Sequence, residues 1–310
     1  MMIEILAAES LGTRGLCCRI TARGRVIVID PGLALGARRQ GLPPHPVQIA
    51  AGRAVRGRIV AALQGATDVV FSHYHGDHIP LLKANPYQLS FSDLPPHFRA
   101  LRAWSKSLEG QTDTSRARAC DLMNLLGGRW RIAEGTVDGP LSFSCAMPHG
   151  IGGMPFGSVM MTRIDMGACV FVHGSDIQLL DETTVKVILE WSPDIVLAAG
   201  PPLYQIGLDR IQRACAWDNA LHLAKAVKIL ILDHHLLRSE EGVDWLRALS
   251  HAAGRRIYCA ADFMGRPRWL LEATRQALYR AMPVKPNWHE NYARGLARVE
   301  DFGLVGSLTA

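Results

Sequence analysis

The apolar run Asp68-Val69-Val70-Phe71 leads directly into Ser72-His73-Tyr74-His75-Gly76-Asp77-His78. Three imidazoles and a carboxylate therefore crowd the end of one short buried strand. A polar surface loop needs no such set, whereas a metal centre does. His73 and His75 are two apart on an extended segment, so their rings project to the same side. Gly76 permits a sharp turn, and Asp77 and His78 project from that turn. Two donors go one way and two another around a common space, which suits two metal ions a few ångströms apart.

The surrounding chain reads as alternating strands and helices. Residues 3–10 and 16–32 form a strand and a hairpin, and the β-branched run 25–30 ends at Asp30 before a Pro31-Gly32 turn. Helical periodicity returns over 47–66, and 67–72 is a buried strand. Residues at about 80–130 are polar and mostly helical, which predicts a helical insertion on the domain. The second half returns to strand patterns separated by helical stretches, and about 280–310 reads as a C-terminal extension, packed over the body or joining an oligomer contact. The whole is one α/β domain, 1–310, with mixed sheets.

Composition excludes several classes. Charged residues make up 20% and hydrophobic residues 48%, as in an ordinary globular chain. Glu4 and Glu9 stand where a signal peptide would carry basic residues. No apolar run approaches the roughly 20 residues of a membrane span. Seven cysteines without a C-x-x-C pair suit a reducing cytoplasm, the expected location. The net charge of +6 leans weakly towards anionic partners.

The cluster resembles the H-x-H-x-D-H signature of the metallo-β-lactamase fold. "DPGLALG", "GLPPHP", "SDIQ", "AGPPLY" and "LDHHLLR" resemble one branch of that superfamily known mainly from archaea. The likeness spans roughly residues 1–262. It implies an αββα sandwich of two mixed β-sheets flanked by helices, with metals at one sheet edge. It also implies that His73, His75 and His149 hold one metal, that Asp77, His78 and His234 hold a second, and that Asp176 bridges. Asp30 matches the family's early structural aspartate. His234 is preferred over His235 because the ribonuclease Z pattern places its histidine at the equivalent point. Neighbours on an extended chain also point to opposite sides, so only one ring should reach the metal. His235 and His173 are the alternative ligands or outer partners.

The ligand types suit zinc, with iron or manganese open. The expected function is hydrolysis by a hydroxide bridging two divalent ions, with Asp77 as the protein group in the chemistry. Ser10, Ser72 and Ser175 need not act as nucleophiles. Expected substrate contacts are His45 and Tyr204, with Lys106, Arg116 and Arg118 as an anion clamp. Against each stands a plainer role: a turn histidine between prolines, a plain turn, a solvated helical face. The clamp and the basic charge favour a phosphodiester, either a small molecule or nucleic acid. Esters, lactones and thioesters are the alternative. An iron-dependent oxidoreductase on the same fold and a non-catalytic metal-stabilised binding protein are different classes.

Overall fold

The computed structural model describes residues 2–151 and 157–302. Its first sheet has the order β1-β2-β3-β4-β5-β6, formed by Ile3–Ile5, Cys18–Ala22, Arg25–Ile29, Asp68–Phe71, Arg102–Ser105 and Trp130–Ile132. The first three strands are antiparallel, and β3 to β6 run parallel. Along β3, Ile27 and Ile29 face one core while Val28 faces another; along β4, Val70 and the pair Val69 and Phe71 divide in the same way. Strands buried on both faces need this unbroken apolar run.

The second sheet has the order β14-β13-β12-β11-β8-β7. Its strands are β7 (Val137–Asp138), β8 (Leu141–Phe143), β11 (Thr162–Asp165), β12 (Val170–Ser175), β13 (Ile195–Ala198) and β14 (Ile229–Leu232). The last three are parallel, and the others antiparallel. A separate hairpin pairs β9 (Met147–Pro148) with β10 (Ser158–Val159). Inner residues of both sheets, such as Ile20, Ile29, Phe143 and Phe171, share one core.

Helices cover the outer faces. α1 (Pro46–Gln64) and α2 (Asp113–Leu126) pack on the first sheet through Ile59, Leu63, Ala119 and Leu122. α3 (Glu182–Glu190), α4 (Arg210–Ala226) and α5 (Glu240–Ala252) cover the second through Ile188, Leu223 and Leu249. The molecule is therefore the αββα sandwich. Short helices follow: α6 (Ala260–Phe263), α7 (Arg275–Ala281) and α8 (Trp288–Ala293). Among the described residues no helix is long and apolar enough to cross a membrane.

Two expectations need correction. The segment at 80–130 is not only a helical appendage: it supplies β5, which lies between β4 and β6 within the first sheet. The strand assignment of Arg102–Ser105 comes from that burial, not from local sequence preference. His45 is not a substrate contact. It caps α1, where its Nδ1 accepts from the Val47 amide at 3.2 Å and its Nε2 donates to the Met282 carbonyl at 2.9 Å. Pro46 then occupies the first helical position, where its missing N–H costs nothing. The His45 ring also meets Tyr279 and Phe302 edge-on, so it ties the C-terminal extension to α1. Trp288 and Val299 join Leu35 and Ile49 in the same apolar contact. Residues 303–310 of that extension lie outside the described residues.

Candidate metal centre

The centre lies where parallel strands end, the usual position for sites in open α/β sheets. Asp30, one residue beyond β3, adopts a positive φ of 48°. There its carboxylate accepts from the Ser72 amide at 2.8 Å and the Ser72 hydroxyl at 2.6 Å, fixing the exit of β4. The turn after β4 closes through the His78 amide and His75 carbonyl at 3.0 Å.

Two glycines let other segments approach this turn. A Cβ on Gly32 would lie 2.2 Å from the Ile79 nitrogen and 2.3 Å from the His78 carbonyl carbon. A Cβ on Gly15, at φ +117°, would lie 2.6 Å from the Asp77 carbonyl oxygen. No larger residue fits either place without moving backbone.

Asp176 follows β12 and sits at the middle of the cluster. Its Oδ2 lies 3.4 Å from His73 Nε2, 3.9 Å from His75 Nδ1, 3.2 Å from His149 Nε2 and 3.2 Å from His235 Nε2. Its Oδ1 lies 3.0 Å from His78 Nε2 and 3.6 Å from His234 Nε2. Asp77 Oδ2 is 3.4 Å from His234 Nε2. The donor atoms of His73, His75, His149 and Asp176 all lie within 4.8 Å of one another, as do those of Asp77, His78 and His234.

The donor set fits divalent metal. His73 Nε2 and Asp176 Oδ1 are buried without a well-formed hydrogen bond to any described residue. Such orphaned polar atoms are costly unless something else satisfies them. Burial, reinforced by His78 and His75, pushes His73 down to about 3, so its imidazole is neutral and able to ligate. Burial opposes the ionisation of Asp176. The neighbouring His78, His234 and His235 outweigh it and hold the carboxyl well below its ordinary range.

Outer partners orient the donors. His78 Nδ1 donates to Asp30 Oδ2 at 3.0 Å, which turns Nε2 inward. Gln178 lies 3.3 Å from His149 Nδ1 through its side-chain amide. Arg238 binds Glu9 through Nε at 2.9 Å and donates to the Tyr204 hydroxyl through Nη1 at 3.1 Å. Its Nη2 lies 2.6 Å from His234 Nε2 and 3.5 Å from Asp77 Oδ2. Arg238 was not singled out from the sequence, although it stands four residues after His234 in the same motif.

Both His234 and His235 approach Asp176, at 3.6 and 3.2 Å, which strand alternation does not anticipate. β14 ends at Leu232, and His235 has helical dihedrals of φ −75° and ψ −38°, so the pair is not extended. His173 does not enter the cluster. Its Nε2 is instead 2.8 Å from the Leu16 carbonyl.

No family model matches the chain. A UPF0282 protein of Methanosarcina mazei is 46% identical over 304 residues, covering 98% of this chain and 100% of the relative. The chain belongs to the UPF0282 family. A second UPF0282 protein, of Pyrococcus furiosus, is 32% identical over 297 residues, covering 90% of this chain and 92% of its own. Among solved structures, the UPF0282 chain is similar to an isothiocyanate hydrolase from Delia radicum gut bacteria. That match has a TM-score of 0.50 at 14% identity, covering 84% of this chain and 95% of the other. A metal-dependent hydrolase of the β-lactamase superfamily gives a TM-score of 0.50 at 12% identity, covering 83% and 94%. These likenesses establish the metallo-β-lactamase fold.

The remaining expected contacts of the UPF0282 chain divide. Tyr204 stands beside the centre, its hydroxyl 3.4 Å from His235 Nδ1. Lys106 is fully buried and paired with Glu134 at 3.0 Å, so it cannot reach over the site as a clamp. Arg116 is exposed on α2. Arg118 instead donates to the Tyr74 carbonyl at 3.3 Å, behind the histidine turn. A cavity of about 200 Å³ opens beside His73 and His75, and its far wall is the start of α2, at Gln111, Thr112 and Ser115. Sequence reasoning missed these three. Thr112 as a capping residue ahead of a helical run was the available signal.

Proposed function

We propose that this protein is a metal-dependent hydrolase with a two-position centre. The observation that carries the reading is the division of donors between the two oxygens of Asp176. His73, His75 and His149 surround one, and His78 and His234 approach the other, with Asp77 beside His234. Each set would hold one divalent ion, with zinc the best match to imidazole and carboxylate donors. Ions held there would supply an acidified water and polarise the carbonyl or phosphoryl group to be cleaved. The protein's own part is positional. Asp30 aims His78, Gln178 aims His149, and Arg238 with Tyr204 presents hydrogen-bond donors at the edge of the centre. Asp77 sits where a carboxylate can hold a metal and orient water.

The burial of Lys106 removes the strongest argument for a long phosphodiester such as nucleic acid. Small esters, lactones, thioesters or small phosphoesters suit the cavity better. The test is elemental analysis of protein purified without chelator, together with a hydrolysis panel over those classes. About two equivalents of divalent metal per chain, and loss of both metal and activity in Asp176→Ala, are expected. Metal-free wild-type protein would overturn the reading.

A further inference from the structure

The cavity beside His73 and His75 has a second wall whose chemistry differs from that of the centre. It is made by the residues that start α2, a helix of fourteen residues. Thr112 caps this helix, its hydroxyl accepting from the Ser115 amide at 3.2 Å. The amides of Asp113 and Thr114 belong to the first helical turn, where backbone N–H groups have no partner within the helix. Ser115 lines the cavity, is only 6% exposed, and its hydroxyl makes no hydrogen bond to any described residue. Gln111 Nε2 is likewise buried and without an acceptor among the described residues.

Gln111, Thr112 and Ser115 thus line the cavity with neutral side chains able to donate, at the end of α2 where the helix dipole is partly positive. Buried donors left without acceptors are uncommon in folded proteins unless a ligand or water supplies one. Among the described residues no lysine or arginine lines the cavity. Asp113 is exposed and is not part of the lining.

We propose that the start of α2 binds the oxyanion-bearing end of a small substrate, a carboxylate or a single phosphate, with Ser115 and Gln111 as its specificity-determining residues. The inference rests on the hydrolase reading in placing the scissile group of that substrate at the metal centre. Neutral donors and a helix terminus suit one compact anionic group. A polyanion is recognised instead by arginine and lysine along a groove, and none of the described residues lining this cavity is either.

Acetate and inorganic phosphate serve as probes, with binding to the metal-loaded protein followed by calorimetry and by the side-chain amide resonances of Gln111. The expected result is binding of at least one probe with a shift of those resonances, the preferred probe separating carboxylate from phosphate. Ser115→Ala and Gln111→Leu should each weaken that binding about tenfold or more, the usual effect of deleting a hydrogen bond to a charged group. Metal content should be unchanged. Because the Ser115 hydroxyl holds no internal bond, Ser115→Ala should keep its melting temperature, so loss of binding cannot be attributed to unfolding. Binding of neither probe, or wild-type affinity in both variants, overturns the proposal. So does a twelve-nucleotide RNA that displaces the probe at lower concentration than phosphate does. Metal content measured on the same samples tests the hydrolase reading separately: metal-loaded protein that binds no probe sinks only the α2 site, and metal-free protein sinks the centre itself.

Discussion

His78 donates from Nδ1 to Asp30 Oδ2 at 3.0 Å, joining the end of β3 to the turn after β4. This contact holds the His78 ring with Nε2 facing Asp176, so Asp30 aims a donor of the centre without being one of the inner donors itself. Asp30→Asn should weaken metal binding about 10–100-fold, the usual cost of losing an outer carboxylate partner. Competition against a chelator of known affinity measures it. Wild-type affinity in the variant would reduce Asp30 to a strand-end anchor.

Gly32→Ala should be more disruptive than its size suggests. The added methyl would meet the backbone of His78 and Ile79, which no side-chain rotation can relieve. Overpacking that forces backbone to move costs about 1–3 kcal/mol and occasionally more. We expect a lower thermal midpoint and a reduced metal content together, read by melting curves and elemental analysis.

His234→Ala and His235→Ala should both reduce metal retention, because both rings approach Asp176. Removing His234 should affect mainly the position shared with Asp77 and His78. Cobalt substitution, whose visible spectrum follows coordination number, separates the two effects. A His235→Ala spectrum identical to wild type would leave His234 as the sole ligand of the pair.

Glu272 predicts a pH dependence away from the centre. Burial opposes its ionisation, but Arg14 donates to both its oxygens, at 2.8 and 2.5 Å, and pulls it down from 4.5 to about 2. A carboxyl lowered in the folded state contributes stability that is fully present above the unfolded value and lost as pH falls through the folded one. The stability difference between wild type and Glu272→Gln should therefore shrink as pH falls from about 4.5 to 2. Urea unfolding at several pH values checks this, and a difference independent of pH across that window would contradict it.

The parts of the molecule that could be read in advance are those in which local pattern and tertiary role agree. The β-branched run to Asp30 and the run to Phe71 are strands buried on both faces, and their chemistry begins where the apolar pattern stops. Arg102–Ser105 is equally a strand, but Arg102 and Ser105 carry no such pattern. Its state is decided by β4 and β6 on either side. Lys106 reads as an anion clamp or a solvated charge because lysine is seldom buried without a partner, and its partner, Glu134, stands in a separate segment of the chain. The adjacent pair His234 and His235 could not be resolved by strand alternation, since the strand has already ended. Donors at the start of α2 were invisible because serine, threonine and glutamine at a helix start serve as caps far more often than as ligand contacts.

The spread of the centre along the chain has a consequence for how the protein is made. The first histidines of the centre to emerge from the ribosome are His73, His75 and His78, while Asp176 and the pair His234 and His235 come much later. At about 5–20 residues per second, the interval between them is on the order of ten seconds. During it the nascent chain presents several imidazoles without the carboxylate that later divides them into two sets. Metal captured then would be held in a different geometry from that of the finished centre. The arrangement of donors described above can therefore form only after β14 has been released, not at the first appearance of the histidine motif.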